Sequence, residues 1–103
     1  LGDVYKRQLM SEFTHLDGLR GLFVELHEVN DRILTGDIVS AKAALKTREM
    51  KRILTHYAEA LSEDGATAVF LDPFVAAGGW VGITYSYDLG GVVVSGSATP
   101  RRI

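Results

Sequence analysis

Three histidines, His15, His27 and His56, are the first candidates for metal or acid–base chemistry. A zinc pair on a helix needs imidazoles one turn apart. His15 and His27 lie twelve residues apart and His56 stands alone, so the spacing selects no ligand set. The chain has no cysteine, which excludes disulfides, thiolate zinc sites and cysteine nucleophiles. No serine sits in a G-x-S-x-G elbow, and Ser95-Gly96-Ser97 has no histidine in view to activate it. The glycine pairs at 78–79 and 90–91 match neither a phosphate-binding loop nor a dinucleotide fingerprint, and fit turns instead. Residue types and spacing therefore nominate no catalytic residue, no metal site and no cofactor.

Two sets of residues could bind something. Lys42, Lys46, Arg48, Lys51 and Arg52, with Glu49 among them, carry a net +4 over eleven residues. Phosphate contacts need such local density. On a continuous helix the five spread over most of the circumference, and only Arg48, Lys51 and Arg52 form a patch. The plain alternative is a solvated face that pairs with Glu25, Glu28 and Asp31. Tyr57, Trp80 and Tyr85 (with Tyr87 nearby) are the candidates for a small-ligand pocket between helix and sheet, although core packing accounts for aromatic residues equally well.

Composition narrows the classes. At 103 residues the chain suffices for one domain, and its 47% hydrophobic content suits a globular core. The formal charge is −2, which argues against a surface that tracks nucleic acid throughout. No apolar run is long enough for a transmembrane helix, and no signal peptide follows Met10. These features lead to an expected cytoplasmic location, or a virion-associated one for a phage product.

The elements that must position these residues follow from periodicity. Phe13, Leu16, Leu19, Phe23, Leu26, Val29 and Ile33 recur every three or four residues, the stripe of one long helix. Thr14 and Asp17 fit a capping box at its start, and Gly36 fits a left-handed turn at its end. Small Gly18 and Gly21 would let another backbone approach. Asp37 can cap a second helix, with Ile38, Ala41 and Leu45 apolar. Met50, Ile53, Leu54, Tyr57, Ala58 and Leu61 then form a stripe rotated by about 140° from the Ile38 stripe at 100° per residue. Either the helix breaks near Lys46-Thr47, with Thr47 capping a new segment, or it runs on with its halves facing different partners.

After Glu63-Asp64-Gly65 the period changes to two. Thr67 to Leu71 reads as a strand stopped by Asp72-Pro73, and 76–79 as a loop. Trp80–Tyr87 and Val92–Ala98 read as a hairpin turning through 88–91. Pairing Tyr87 with Val92 puts Val81, Ile83, Tyr85, Tyr87, Val92, Val94 and Ala98 on one face. The expected fold is α+β: an N-terminal helical hairpin of two to three helices on a small C-terminal antiparallel three-stranded sheet, in two layers.

Asp3-Val4-Tyr5-Lys6-Arg7-Gln8 resembles the translated mosaic-end adapter of transposase-made sequencing libraries. That resemblance implies an environmental sequence origin and puts residues 1–8 outside the domain. The domain is then expected over 11–99, with 100–103 as a tail. A narrow sheet has two exposed edges, and exposed edges recruit partners. The functional expectation is a small non-enzymatic interaction or assembly module, homo-oligomeric through a sheet edge or the first helix, or bound to a protein partner at a sheet edge. The alternatives are a nucleic-acid-binding accessory protein using Arg48, Lys51 and Arg52, and a small-molecule-binding cone-like fold.

Overall fold

The computed structural model describes residues 19–100. The expected cap at Thr14 and Asp17, Gly18, and the adapter-like residues lie outside them. The first helix, α1, covers 19–34 of the described chain. Leu19, Leu22, Leu26 and Val29 are buried on its inner side, and Phe23 and Ile33 are packed against them. Gly36 takes φ +87°. The Gly36 N–H donates to Ile33 and the Ile38 N–H to Arg32, a left-handed C-terminal turn that satisfies the last carbonyls.

The second helix, α2, is only Ala41–Leu45. Its cap is Ser40, whose hydroxyl accepts from Ala43 N–H, and not Asp37 as expected. Once Gly36 has turned the chain, residues 37–39 form a bend rather than a first helical turn. The third helix, α3, is Arg48–Glu63. Thr47 resolves the phase conflict by breaking the helix. Its hydroxyl donates to Ala44 C=O at 2.8 Å and accepts from Met50 N–H at 3.1 Å, joining the end of α2 to the start of α3. Ala41 and Ala44 of α2, and Met50, Ile53 and Leu61 of α3, can then all be buried in one core. Gly65 at φ +100° ends α3, and Ala66 N–H returns to Leu61 C=O.

Three strands follow: β1 Thr67–Ala76, β2 Trp80–Leu89 and β3 Val92–Ala98, antiparallel in the order β1-β2-β3. The helices cover one face. The ring of Phe23 in α1 meets Tyr85 in β2 at 6.0 Å, α2 touches β1 and β2, and α3 touches β1. Val81, Ile83 and Tyr87 of β2 are buried beneath them. The fold is the expected two-layer α+β arrangement, with corrections in the strands.

The first correction is β1, which does not stop at Asp72-Pro73 but runs to Ala76, with Pro73 opposite Ile83. Proline is tolerated on an edge strand when its nitrogen faces away from the neighbour. The second is the hairpin register. Leu89, not Tyr87, pairs with Val92, and only Gly90 and Gly91 turn the chain, at φ +62° and +82°. Two successive positive φ values make the tight turn whose twist matches its strands, and Asp88 Oδ1 accepts from Gly91 N–H. The slip is two residues, so every side chain keeps its expected face. Tyr85 now lies over Gly96: a Cβ there would come within 2.5 Å of the tyrosine oxygen.

Candidate functional site

Asn30 sets one boundary of the sheet. It is 1% exposed, on α1. Its Oδ1 accepts from Val81 N–H at 2.9 Å, and its Nδ2 donates to Val81 C=O at 3.0 Å and to Pro100 C=O at 2.6 Å. Continuing the Ile83–Ala98 register by two residues sets Pro100 opposite Val81. Proline has no N–H, so a strand rung is impossible there. The asparagine amide supplies it from the helix, satisfying Val81 inside the core. Pro100 is thus held by its carbonyl. An asparagine among helix positions gives no local signal of such a role, and the sequence reading missed it.

The hydrogen-bonding direction of each strand residue follows from the turn. Residues flanking a two-residue turn exchange both backbone bonds, so 89, 87, 85 and 83 face 92, 94, 96 and 98. The amides of Val93, Ser95 and Ser97 therefore point away from β2. Among the described residues no strand pairs with this side of β3. Its seven residues, VVVSGSA, contain no charge and no proline, and the ladder to β2 has no bulge. Val92 and Val93 are 52% and 67% exposed.

The other edge, β1, is built differently. Its register slips between Thr67 and Phe70, a bulge in which Ala68 takes φ +51°. Asp72 and Pro73 follow within the same strand. Bulge, charge and proline are the devices by which proteins blunt an edge.

Trp80 is not brought together with the other expected pocket residue of its strand, Tyr85, while Tyr57 and Tyr85 both pack against the core. Trp80 pairs with Ala76 and Tyr85 with Leu71, so the two side chains leave β2 on opposite faces. Trp80 packs near Gly78 on the face away from the helices. Tyr57 lies against Gly21 of α1, where a Cβ would be 2.5 Å from its oxygen; the small residue admits a side chain there, not a backbone. Burial first, and then the carboxylate of Glu25, raise the Tyr57 hydroxyl above its ordinary pKa. Burial first, and then Tyr85, do the same for Tyr87. An open groove of about 570 Å³ lies between α3 and β1, lined by Thr55, Ala58, Glu59, Ser62, Glu63 and Val69.

Arg48, Lys51 and Arg52 are exposed on the first turns of α3. Among the described residues none of them makes the ion pair to α1 expected of a solvated face, and Arg32–Glu49 at 2.9 Å links α1 to α3 instead. Glu59 and Glu63 lie on the same outer side of α3, so a phosphate backbone laid along this helix would meet carboxylates after two turns. Among the described residues there is no group of three or more metal-ligating side chains, and no helix long and apolar enough to cross a membrane. Comparison of the chain with protein families, curated proteins and solved structures finds no match.

Proposed function

We propose that the protein is a non-enzymatic assembly module in which β3 pairs antiparallel with β3 of a second copy, extending the sheet across a two-fold axis. One observation carries the reading: β3 is an open edge of seven residues with neither charge, proline nor bulge, in a sheet whose other edge has all three. A two-fold axis at Ser95 would set Val93 against the partner's Ser97 and Ser95 against its own mate. Each of these residues directs its backbone N–H and C=O outward, and each interstrand bond contributes about 1 kcal/mol net. A second copy fits better than an unrelated strand because the edge is neutral and its outward side chains are small, so the pairing opposes no like charges.

The test is light scattering at about 0.5 M salt, where exposed charges are strongly screened. The wild-type chain is expected to be a dimer at micromolar concentration. Ser95→Pro removes an outward N–H without touching the β2 ladder and is expected to be a folded monomer. A wild-type chain that stays monomeric at hundreds of micromolar would overturn the reading.

A further inference from the structure

The outer face of α3 has a charge pattern that works against its own helix. Arg48 and Arg52 stand near the N-terminus, Glu59 and Glu63 near the C-terminus, and all four are exposed. At 100° per residue they fall, with Thr55, within an arc of about 80°. Cations near a helix N-terminus and anions near its C-terminus both oppose the helix dipole. Arg48/Arg52 and Glu59/Glu63 are also like-charged neighbours four residues apart, a spacing that destabilises an isolated helix. None of the four has an ion-pair partner among the described residues.

The same pattern is self-complementary in reverse. In an antiparallel pair of α3 helices centred between Thr55 and His56, Arg48 meets the partner's Glu63 and Arg52 meets the partner's Glu59 in a single register. Thr55 then meets the partner's His56, so each imidazole at the crossing faces a small side chain. The groove beside Glu59 and Glu63 leaves room for long basic side chains. The antiparallel alignment also sets the two helix dipoles in their favourable sense.

We infer that the exposed face of α3 is a second, electrostatic docking surface for another copy of this chain, separate from the β3 edge. It takes up the basic cluster that would otherwise await a phosphate-bearing partner. The surface is small and exposed, so the association is weak and salt-sensitive.

The experiment uses the full chain carrying Ser95→Pro, which removes any β3 pairing and so separates the two surfaces. Association is measured by sedimentation at about 10 mM salt, where the screening length is roughly 30 Å. The Ser95→Pro chain is expected to self-associate there and to dissociate at about 0.5 M salt. Arg48→Glu/Arg52→Glu and Glu59→Lys/Glu63→Lys are each expected to weaken that self-association at least about tenfold. A one-to-one mixture of the two reversed variants is expected to regain it as a heterodimer. Both variants align their charges with the helix dipole, so they should fold at least as well as the parent, which thermal melts check. Reversed variants that associate like the parent, or a mixture that does not recover, would overturn the inference. It would equally be overturned if the parent stays monomeric while a short DNA duplex binds it and loses that binding only in Arg48→Glu/Arg52→Glu, the result expected of a nucleic-acid surface.

Discussion

The two edges of this sheet differ far more than their similar exposure suggests. β1 is interrupted by a bulge at Ala68, where a residue with a Cβ sits at φ +51°, and it carries Asp72 and Pro73. β3 carries no such interruption, and its neighbour strand sees an unbroken ladder from Leu89–Val92 to Ile83–Ala98. A chain that spends a strained residue and a proline on one edge has the means to blunt the other and does not use them. The contrast therefore separates a blunted edge from an unblunted one, and the proposed pairing uses the second.

The contrast can be broken or sharpened by substitution. The largest effect is expected from Asn30→Ala, which leaves the Val81 N–H and C=O unpaired in the core and removes the anchor at the end of the β2–β3 ladder. A loss of about 3 kcal/mol in urea denaturation is expected. Next comes a pair on neighbouring residues. Val94→Pro removes an N–H that faces β2 and should destabilise the protomer by about 2 kcal/mol, whereas Ser95→Pro should cost less than about 1 kcal/mol and abolish pairing. Equal losses would mean that the inward and outward directions along β3 are misassigned. Pro73→Thr restores an N–H on the guarded edge. Protomer stability should change by no more than about 0.5 kcal/mol, while light scattering should reveal species larger than a dimer.

Alkaline titration separates protomer from edge. Residues 92–98 hold no titratable side chain, whereas Tyr57 and Tyr87 have folded pKa values raised above the ordinary 10.0. The unfolded chain releases those protons first, so their contribution is complete below about pH 10 and is lost as pH rises toward the folded values. Thermal melts should thus fall above that pH through the protomer, equally in wild type and Ser95→Pro. The smallest effect is expected for Ala68→Gly, which relieves the positive φ and should stabilise the protomer by about 0.5 kcal/mol after the entropy cost of glycine.

Much of the architecture was legible before any coordinates. The change of period after Gly65, the left-handed stop at Gly36 and the helix end at Gly65 are local signals, and each appears as a local feature of the chain; the phase change around Thr47 left a break or a continuous helix open, and the structure has the break. What was not legible depended on neighbours. Whether Pro73 ends a strand depends on whether that strand has a neighbour on the proline side, and among the described residues β1 has none. The hairpin register turned on Gly90-Gly91 forming the whole turn, and the hydrophobic pattern could not detect a slip of two because a slip of two conserves every face. Asn30 acts across fifty-one residues of sequence on a backbone rung. Trp80 and Tyr85 were separable from the outset, since an odd spacing on one strand puts them on opposite faces. The charge reversal along α3 was also readable, but only once the helix was known to start at Arg48 and end at Glu63.

The rung supplied by Asn30 ties the ribbon to the layer above it. Because the final tie between the second strand and the chain's return comes from a helix, the β2–β3 ribbon cannot be finished until that helix has docked. Maturation of the ribbon and closure of the core are then one cooperative event. If β3 pairs as proposed, a half-folded molecule would lack a finished seam, and copies would meet only after each has folded.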